Sequence, residues 1–260
     1  MCKCISGIAV NIGDGVKMYT HTDTDSHTEI RRFHHICDDS SAAASRQTPV
    51  ELIPVRGLGL LDIGEMGFVL DAEKPRWWTE EMQEEATRQL HSAWLKRWKG
   101  KRLIFKGYLD LRSLTSIPEG VTLSAGGYLD LESLTSIPEG VTLSAGGDLY
   151  LGSLTSIPEG VTLSAGGYLD LRSLTSIPEG VTLSAGGDLY LRSLTSIPEG
   201  VTLSAGDYLD LRSLTSIPEG VTLSAGGDLD LRSLTSIPEG VTIKAKKVCL
   251  KSYKGKSFGL

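Results

Sequence analysis

The sequence predicts an α+β protein, in which a small α/β N-terminal capping domain precedes a seven-coil β-solenoid with a 20-residue repeat. A unit reading Gly-Tyr-Leu-Asp-Leu-Arg-Ser-Leu-Thr-Ser-Ile-Pro-Glu-Gly-Val-Thr-Leu-Ser-Ala-Gly recurs seven times between residue 107 and about 246. Self-similarity at this period is typical of solenoids. Within each unit, apolar residues alternate with polar ones, as they do in half-buried strands. We therefore predict a mixed α/β domain over 1–100, the solenoid over 101–246 and a basic cap or tail over 247–260.

Each repeat unit encodes two strands and two corners. In the first copy the strands are predicted over 109–111 and 121–125, where apolar and polar residues alternate. Ile117–Gly120 suits a type I turn, with Pro at its second position and Gly at its fourth. Gly126-Gly127 is the second predicted corner, because glycine adopts a positive φ at little cost. One coil alone buries too little apolar surface to offset the entropy of ordering it, so the coils must stack.

The segment Leu-Thr-Ser-Ile-Pro-Glu-Gly, with L-x-L ahead of it, resembles the bacterial type of leucine-rich repeat over 107 to about 246. That family carries an Asn after the L-x-L strand, and the resemblance implies a curved, horseshoe-like solenoid. Here Leu111–Leu114 contains no Asn, so a straighter two-strand β-solenoid fits as well. A pentapeptide-repeat helix also has 20 residues per coil, but Glu119 and Ser124 break the apolar pattern that it needs.

Charge is distributed unevenly along the chain. The net charge is −6, but residues 107–243 hold 9 Asp and 8 Glu against 5 Arg, a net of −12. Residues 244–260 hold six Lys and no acidic residue, whereas residues 1–106 hold 15 basic and 15 acidic residues. The acidic solenoid favours a protein partner with a basic patch and makes direct binding of nucleic acid unfavourable.

Composition argues against several classes of protein. Four cysteines in 260 residues do not make a disulfide scaffold, and the N-terminus lacks the pattern of a signal peptide. No run approaches the roughly 18 apolar residues of a membrane span. The expected location is therefore a reducing cytoplasm.

The N-terminal domain is predicted to begin with a hairpin and a short helix. Residues 4–20 alternate as a β-hairpin around an Asp-Gly turn. A capping box over Ser26–Glu29 predicts a helix start, and Ile30, Phe33 and Cys37 are expected to face the core.

Two strands and a longer helix complete this domain. Val50–Val55 and Gly67–Leu70 are candidate strands, the first interrupted by Pro54. Apolar residues at helical spacing predict a helix from about Trp78 to Trp98, and Gly100 ends it.

The two ends of the solenoid are predicted to be protected differently. Lys101–Lys106 aligns with the second strand of a repeat, so we predict a degenerate first strand in which Phe105 takes the place of an alanine and plugs the end. The long helix is expected to cover this end as a cap. Beyond Thr242, lysines replace small residues and protect the last edge strand from unwanted pairing.

Short motifs in residues 1–100 resemble the N-terminal domains that precede repeat arrays in bacteriophage and prophage proteins. The first motif is Asp25-Ser26-His27 with Ile30. The second is Trp77-Trp78-Thr79-x-x-Met82 with Gln89-Leu90 and Ala93-Trp94. The resemblance implies a viral or prophage origin in a bacterial host and implies no established activity.

The candidate partner-binding site lies in the first strand of each repeat, where the copies differ, whereas the segment 113–126 is identical in six copies. Tyr and Arg are both enriched at interfaces. The copies differ in three columns of one residue per coil, and in the third column Glu132 and Gly152 replace Arg in two coils. The predicted site residues are taken from these columns. They are Tyr108, Tyr128, Asp148, Tyr168, Asp188 and Tyr208 in the first column, Asp110, Asp130, Tyr150, Asp170, Tyr190 and Asp210 in the second, and Arg112, Arg172, Arg192 and Arg212 in the third. The alternative is drift at solvated positions, in which Tyr/Asp exchanges dilute stacked like charges.

The density of acidic residues supports a second hypothesis, mimicry of DNA. Seven coils about 4.8 Å apart give a rod of about 34 Å. Its 17 carboxylates then amount to about one per 2 Å, close to the one charge per ~1.7 Å of B-DNA. The acidic surface serves solubility alone in the plainer interpretation.

No catalytic activity, cofactor or metal is predicted. Asp25–His27 are adjacent in sequence and do not converge as a catalytic triad must, and no phosphate-binding loop or nucleotide fingerprint is present. The weak candidate metal ligands are Cys2, Cys4, His34, His35 and Cys37. Their spacing is unusual for zinc, so reduced thiols are the simpler interpretation.

The lysine-rich tail supports a third hypothesis, a structural or assembly module. Its six lysines suit docking on an acidic solenoid, in the same chain or in a homo-oligomer. Contact with nucleic acid or with an acidic partner is the alternative.

Overall fold

The computed structural model describes residues 5–12, 15–20, 27–34, 47–54, 66–70, 74–96, 99–100 and 102–250. The chain divides into two compact units, Met1–Trp98 and Lys99–Leu260. The first combines a sheet with two helices, and the second is a β-solenoid of about seven 20-residue turns. The predicted fold class is therefore confirmed, while the capping role of the N-terminal unit stays a prediction.

The N-terminal unit contains a four-stranded antiparallel sheet in the order β2-β1-β3-β4. Its elements are β1 (Ile5–Asn11), β2 (Val16–Tyr19), α1 (His27–Phe33), β3 (Gln47–Pro54), β4 (Met66–Leu70) and α2 (Glu80–Lys96). The hairpin and both strands occur where the sequence predicts them. Pro54 is the last residue of β3, paired with Met66, so it ends the strand and does not interrupt it.

Helix α1 confirms one predicted core residue and contradicts another. Ile30 is fully buried, but Phe33 is 61% exposed. Phe33 is the last residue of this short helix, and its ring lies edge-on against His34, with centroids 5.0 Å apart. The predicted cap Ser26 and Cys37 lie outside the described residues.

Helix α2 begins two residues later than predicted. The Oγ1 atom of Thr79 accepts a hydrogen bond from the backbone N–H of Met82 at 3.2 Å, which makes Thr79 the N-cap. Trp78 consequently precedes the helix, and its backbone N–H donates to the carbonyl of Pro75 at 3.0 Å. The predicted end at Trp98 lies outside the described residues.

Helix α2 packs on the hairpin through an apolar face and one amide side chain. Leu90 and Leu95 are fully buried. The side chain of Gln89 accepts a hydrogen bond from the backbone N–H of Met18 at 2.9 Å and donates one to the carbonyl of Val16 at 3.2 Å. These bonds satisfy backbone groups of β2 and fix the helix on it.

Each coil of the solenoid contributes one strand to each of two parallel sheets. The short-strand sheet contains β6 (Leu109–Asp110), β8 (Leu129–Asp130), β10 (Leu149–Tyr150), β12 (Leu169–Asp170), β14 (Leu189–Tyr190), β16 (Leu209–Asp210), β18 (Asp228–Asp230) and β20 (Lys247–Cys249). The long-strand sheet contains β5 (Arg102–Phe105), β7 (Thr122–Ala125), β9 (Thr142–Ala145), β11 (Thr162–Ala165), β13 (Thr182–Ala185), β15 (Thr202–Ala205), β17 (Thr222–Ala225) and β19 (Thr242–Lys244). In the first coil the buried core positions are Leu109, Leu111, Leu114, Ile117, Val121, Leu123 and Ala125.

The two corners use glycine for different reasons. At Ile117–Gly120 the last residue has φ +68°, which suits glycine. The predicted positive φ at Gly126-Gly127 is wrong, since neither residue has it. There the coils stack backbone on backbone, and a Cβ atom on Gly126 would lie 2.1 Å from the carbonyl oxygen of Lys106. Close packing, and not backbone conformation, therefore requires glycine at this corner.

The predicted degenerate strand at the start of the solenoid is confirmed. Strand β5 pairs in parallel with β7 and aligns Phe105 with Ala125, and Phe105 is only 4% exposed. Gly100 occupies the position of the corner glycine Gly120 one repeat earlier, and it has φ +70°. Lys99 forms an ion pair with Glu119 at 3.2 Å. The stacking thus begins one corner before the first full repeat.

At the other end, both sheets continue past the last full repeat. Thr242–Lys244 pairs with β17 and Lys247–Cys249 pairs with β18. The short-strand sheet therefore extends to Cys249, three residues beyond the predicted limit at 246.

Candidate functional site

The three predicted columns lie in register along the short-strand sheet. The first column lies one residue before the strand in the first six coils. The second column lies at the last residue of the strand, as Tyr150 does between Asp130 and Asp170. The third column follows in a tight turn closed by the N–H of Leu114, which donates to the carbonyl of Leu111 at 2.9 Å.

Side-chain exposure differs among the predicted site residues. The exposed ones are Tyr108, Tyr168, Arg112, Arg172 and Arg192. The half-buried ones are Asp110, Tyr128, Asp130, Asp148, Tyr150, Asp188, Tyr190, Tyr208 and Arg212. Asp170 and Asp210 are buried, so the second column does not face solvent along its whole length.

Burial of these aspartates is explained by an Asp–Arg clamp within one coil. The tight turn brings Arg112 back over Asp110, whose Oδ1 accepts a hydrogen bond from the Arg112 backbone N–H at 3.1 Å. The two side chains also form an ion pair, with 2.7 Å between Nη2 and Oδ2. Hydrogen bonding to Asp110 raises the pKa of Arg112. The same clamp joins Asp170 to Arg172, Asp210 to Arg212 and Asp230 to Arg232.

The clamp stabilises the ionised form of the buried Asp230 carboxylate. Burial alone would raise the pKa of Asp230, but hydrogen bonds from the side chain and backbone of Arg232 outweigh it and lower that pKa. The hydroxyl of Tyr208 also donates to Asp230 at 3.2 Å. A clamped aspartate therefore contributes little free charge to a partner.

Two coils carry Tyr in the second column, and there the tyrosine bonds to the first column. The hydroxyl of Tyr150 donates to Asp148 at 3.1 Å, and that of Tyr190 donates to Asp188 at 2.8 Å. Burial, followed by the hydrogen bond to Asp188, raises the pKa of Tyr190 to about 12. The other oxygen of Asp188 accepts the backbone N–H of Tyr208 at 3.0 Å, so each of these aspartates also ties one coil to the next.

The alternation of Tyr and Asp builds two aromatic clusters. The N-terminal tyrosine cluster consists of Tyr108, Tyr128 and Tyr150, and the C-terminal tyrosine cluster consists of Tyr168, Tyr190 and Tyr208. In the first, centroids lie 4.9 Å apart for the stacked pair and 6.5 Å apart for the edge-on pair. In the second, both pairs are edge-on, at 6.4 Å and 6.1 Å. Edge-on and offset-stacked pairs at such distances are favourable.

The third column is interrupted in two coils. Glu132 and Gly152 stand where the other coils have Arg. The backbone N–H of Gly152 donates to Glu132 at 3.3 Å, and a Cβ atom at 152 would lie 2.4 Å from the carboxylate. Asp130 lacks a clamp in its own coil, and burial raises its pKa although Arg112 lies 3.6 Å away. In the sequence, the only indication of this altered contact is the replacement of Arg at these two positions of the third column.

A second acidic feature escaped prediction because it does not vary between copies. The glutamate column is exposed in every coil and consists of Glu119, Glu139, Glu159, Glu179, Glu199, Glu219 and Glu239. Its first member pairs with Lys99. Its seven glutamates do not vary between coils, whereas the predicted site residues lie at positions that do.

Within the described residues, no group of three His, Cys, Asp or Glu side chains is arranged to hold a metal ion. His34, one of the weak candidates, bonds instead to the carbonyl of Thr20 at 2.8 Å. The remaining candidates, Cys2, Cys4, His35 and Cys37, lie outside those residues. None of the helices in the described part of the chain is long and apolar enough to span a membrane.

The geometry defines the class as a repeat β-solenoid with a regular polar face. Residues 121–193 and 195–233 match the model of the haemagglutinin repeat family. The matched residues lie inside the solenoid and make up less than half of the chain. No curated protein and no solved structure matches the chain. The leucine-rich-repeat type and the phage-like N-terminal domain stay predictions.

Proposed function

We propose that this protein is a non-enzymatic, adhesin-like scaffold that binds a protein partner through the Tyr/Asp/Arg face, meaning the three columns of the short-strand sheet. The observation that carries the proposal is the pair of tyrosine clusters held on a rigid, regular sheet. The likeness to the haemagglutinin repeat supports a scaffold of this kind. Catalytic motifs are absent from the sequence, which fits a binding role.

The face suits binding because its side chains are already ordered. Clamps hold Asp110 and Arg112, and hydrogen bonds hold Tyr150 and Tyr190. A partner therefore loses little additional side-chain entropy when it docks. Tyr and Arg are also the residues that most often dominate binding energy at interfaces.

The proposed partner is a bacterial protein with a basic patch, and the protein is proposed to be phage-encoded and to inhibit that partner in the host cytoplasm. The net charge of −12 over 107–243 and the exposed glutamate column favour a basic partner. The phage-like motifs of the front part support the origin, and the small number of cysteines supports a reducing compartment.

The test is capture of a partner from bacterial lysate by the immobilised full chain, with identification by mass spectrometry. Replacing Tyr108, Tyr128 and Tyr168 with Ala is expected to reduce capture of the identified partner about tenfold or more. The matched control replaces Thr182 and Thr202, exposed on the long-strand sheet, with Ala and is expected to leave capture intact. Equal capture by both variants, with unchanged circular dichroism, would reject the face as the binding site.

The glutamate column favours one alternative, a decoy for a DNA-binding protein. Seven exposed carboxylates in a single line give a regular row of negative charge, as a DNA strand does. In this case duplex DNA competes for the captured partner, and the affinity falls steeply with salt. Capture that duplex DNA does not displace would exclude this alternative.

A further inference from the structure

We propose that Arg192, seated over the ring of Tyr190, is the residue that sets the orientation of the partner by receiving one of its carboxylate side chains. This inference rests on the proposed function and names a specificity-determining contact within the same face. Its basis is the difference between Arg192 and every other arginine of the third column.

The other arginines of the third column are already engaged. Arg112, Arg172, Arg212 and Arg232 each pair with the aspartate two residues earlier. These bonds occupy one edge of the guanidinium, the Nε–H and an Nη2–H, and pair its charge with a carboxylate. Because the aspartate already offsets the positive charge, a partner carboxylate gains less from a clamped arginine than from an unpaired one.

Arg192 lacks a clamp because its coil has Tyr190 where those coils have Asp. Its guanidinium lies over the Tyr190 ring, with the Cζ atom 6.0 Å from the centroid. Arg192 is exposed and forms no ion pair with any residue in the described part of the chain. The nearby Asp188 does not take this role, because its oxygens accept bonds from Tyr190 and Tyr208.

The surroundings of Arg192 fit a carboxylate that arrives with apolar atoms attached. Tyr190, which lies beneath it, belongs to the C-terminal tyrosine cluster, whose Tyr168 is 47% exposed. Arginine binds carboxylates through two parallel N–H donors, and the aromatic rings exclude water from one side of such a pair. A carboxylate on the short apolar stem of Asp or Glu matches this combination of rings and cation.

The third coil provides an internal comparison. Tyr150 bonds to Asp148 and contacts Tyr128 edge-on, as Tyr190 bonds to Asp188 and contacts its own cluster. The two coils differ in the third column, where the third coil has Gly152. The solenoid thus presents similar tyrosine clusters, and among the described arginines of the third column only Arg192, in the C-terminal cluster's coil, is unclamped. A largely basic partner with one acidic residue at this point would dock in a single orientation.

The first experiment measures carboxylate binding directly on the full chain by NMR of arginine Nε–H groups. The probe is N-acetylglutamate N-methylamide, added to the protein at constant ionic strength. A separate titration with N-acetylglutamine N-methylamide is the uncharged control. The Arg192 resonance, assigned from its loss in Arg192→Gln, is expected to shift saturably and at least about threefold more than those of the clamped arginines. Equal shifts for Arg192 and Arg112, or equal shifts with both probes, would overturn the inference. A stronger response to inorganic phosphate or to glucuronate would overturn the assignment to a protein carboxylate.

The second experiment separates this inference from the proposed function. Arg192→Gln is expected to weaken capture of the identified partner about tenfold, as loss of a charge-assisted bidentate contact does. Arg112→Gln, made in a coil where the aspartate is partly exposed, serves as the matched control and is expected to have a smaller effect. If the tyrosine variants abolish capture while Arg192→Gln leaves it unchanged, the inference fails and the proposed function stands. If the tyrosine variants also have no effect, the proposed function fails.

Discussion

At the scale of single residues, the glycine corners separate steric contact from backbone conformation. A Cβ atom on Gly166 would lie 2.1 Å from the carbonyl oxygen of Gly146, so alanine there forces neighbouring coils apart. Gly160 has φ +69° but open space around its missing Cβ. We expect Gly166→Ala to cost about 3 kcal/mol, as severe overpacking does. We expect Gly160→Ala to cost about 1 kcal/mol.

Urea denaturation followed by circular dichroism measures both variants against the parent chain. Because repeat arrays can depart from two-state unfolding, the comparison uses transition midpoints. A larger loss for Gly160→Ala than for Gly166→Ala would contradict the close stacking of backbones at this corner.

Two aspartates of the second column should respond oppositely to pH. The pKa of Asp230 is lowered in the folded state, so its contribution to stability is present above the ordinary pKa of about 3.9 and is lost as pH falls through the folded pKa. The pKa of Asp130 is raised, chiefly by burial. Its contribution is therefore present below the ordinary pKa and is lost as pH rises through the folded value.

At pH 7, Asp230→Asn is thus expected to lower the melting temperature by a few degrees and to flatten the loss of stability in acid. Asp130→Asn is expected to leave the melting temperature unchanged or to raise it. Differential scanning calorimetry between pH 3 and pH 7 checks both, and a comparable loss of stability in the two variants would contradict the pKa assignments.

The sequence predicted which residues align in each column of the site, but it did not predict which of their side chains are buried or paired. A period of 20 places Asp110 and Asp130 in one column whatever the details of the coil. Whether Asp210 is buried depends on Arg212 folding back over it, and this contact follows from a tight turn that alternation does not encode. The sequence shows that Tyr190 precedes Arg192 where Asp210 precedes Arg212, but only the folded turn shows that this exchange removes a clamp.

At the scale of elements, strand identity followed from pattern, whereas boundaries depended on individual hydrogen bonds. Alternation located β5 and aligned Phe105 with Ala125. The start of α2 was misplaced because the side chain of Thr79 caps it, and Trp78 fits the apolar spacing of the helix without belonging to it. Apolar periodicity reports which face is buried, and a cap decides where the helix begins.

The last strands of the solenoid lead to a prediction about edge protection. Within the described residues, β19 and β20 pair with other strands on one side only, and Lys244, Lys246 and Lys247 are exposed there. Charged edge residues oppose pairing with a second chain. Lys244→Ser with Lys246→Gly restores the repeat sequence at two of these positions and is expected to promote concentration-dependent association.

Analytical ultracentrifugation over a range of concentrations measures that association. Lys74→Ser, at an exposed position in the N-terminal unit, is the control. If the parent chain is the oligomer and the double variant is monomeric, the lysines assemble subunits, and the hypothesis of a structural or assembly module replaces edge protection.

At the scale of the whole molecule, identical register between coils makes the solenoid divisible into whole repeats. Thr162 pairs with Thr182 as Thr202 pairs with Thr222. Removing a whole number of coils therefore joins two coils that can pair in the same register. Deleting 167–206 removes two repeats. The coil with Asp148 and Tyr150 is then joined to the coil with Tyr208 and Asp210, so Tyr and Asp still alternate in the first two columns. We expect this shortened chain to fold with the same β-sheet spectrum per residue.

Its stability should fall moderately, because a solenoid sums repeat and nearest-neighbour contributions. The matched control deletes 167–196, one and a half repeats, and places a corner segment where a strand must pair. This deletion puts polar residues into the apolar column and removes the backbone partners of the next strand. It should therefore abolish cooperative melting of the coils that follow the deletion junction. Amide hydrogen exchange, measured on both sides of the junction, tests this. Equal protection in the two deletions would mean that the coils do not depend on register, and the stacked architecture on which the binding face rests would then be wrong.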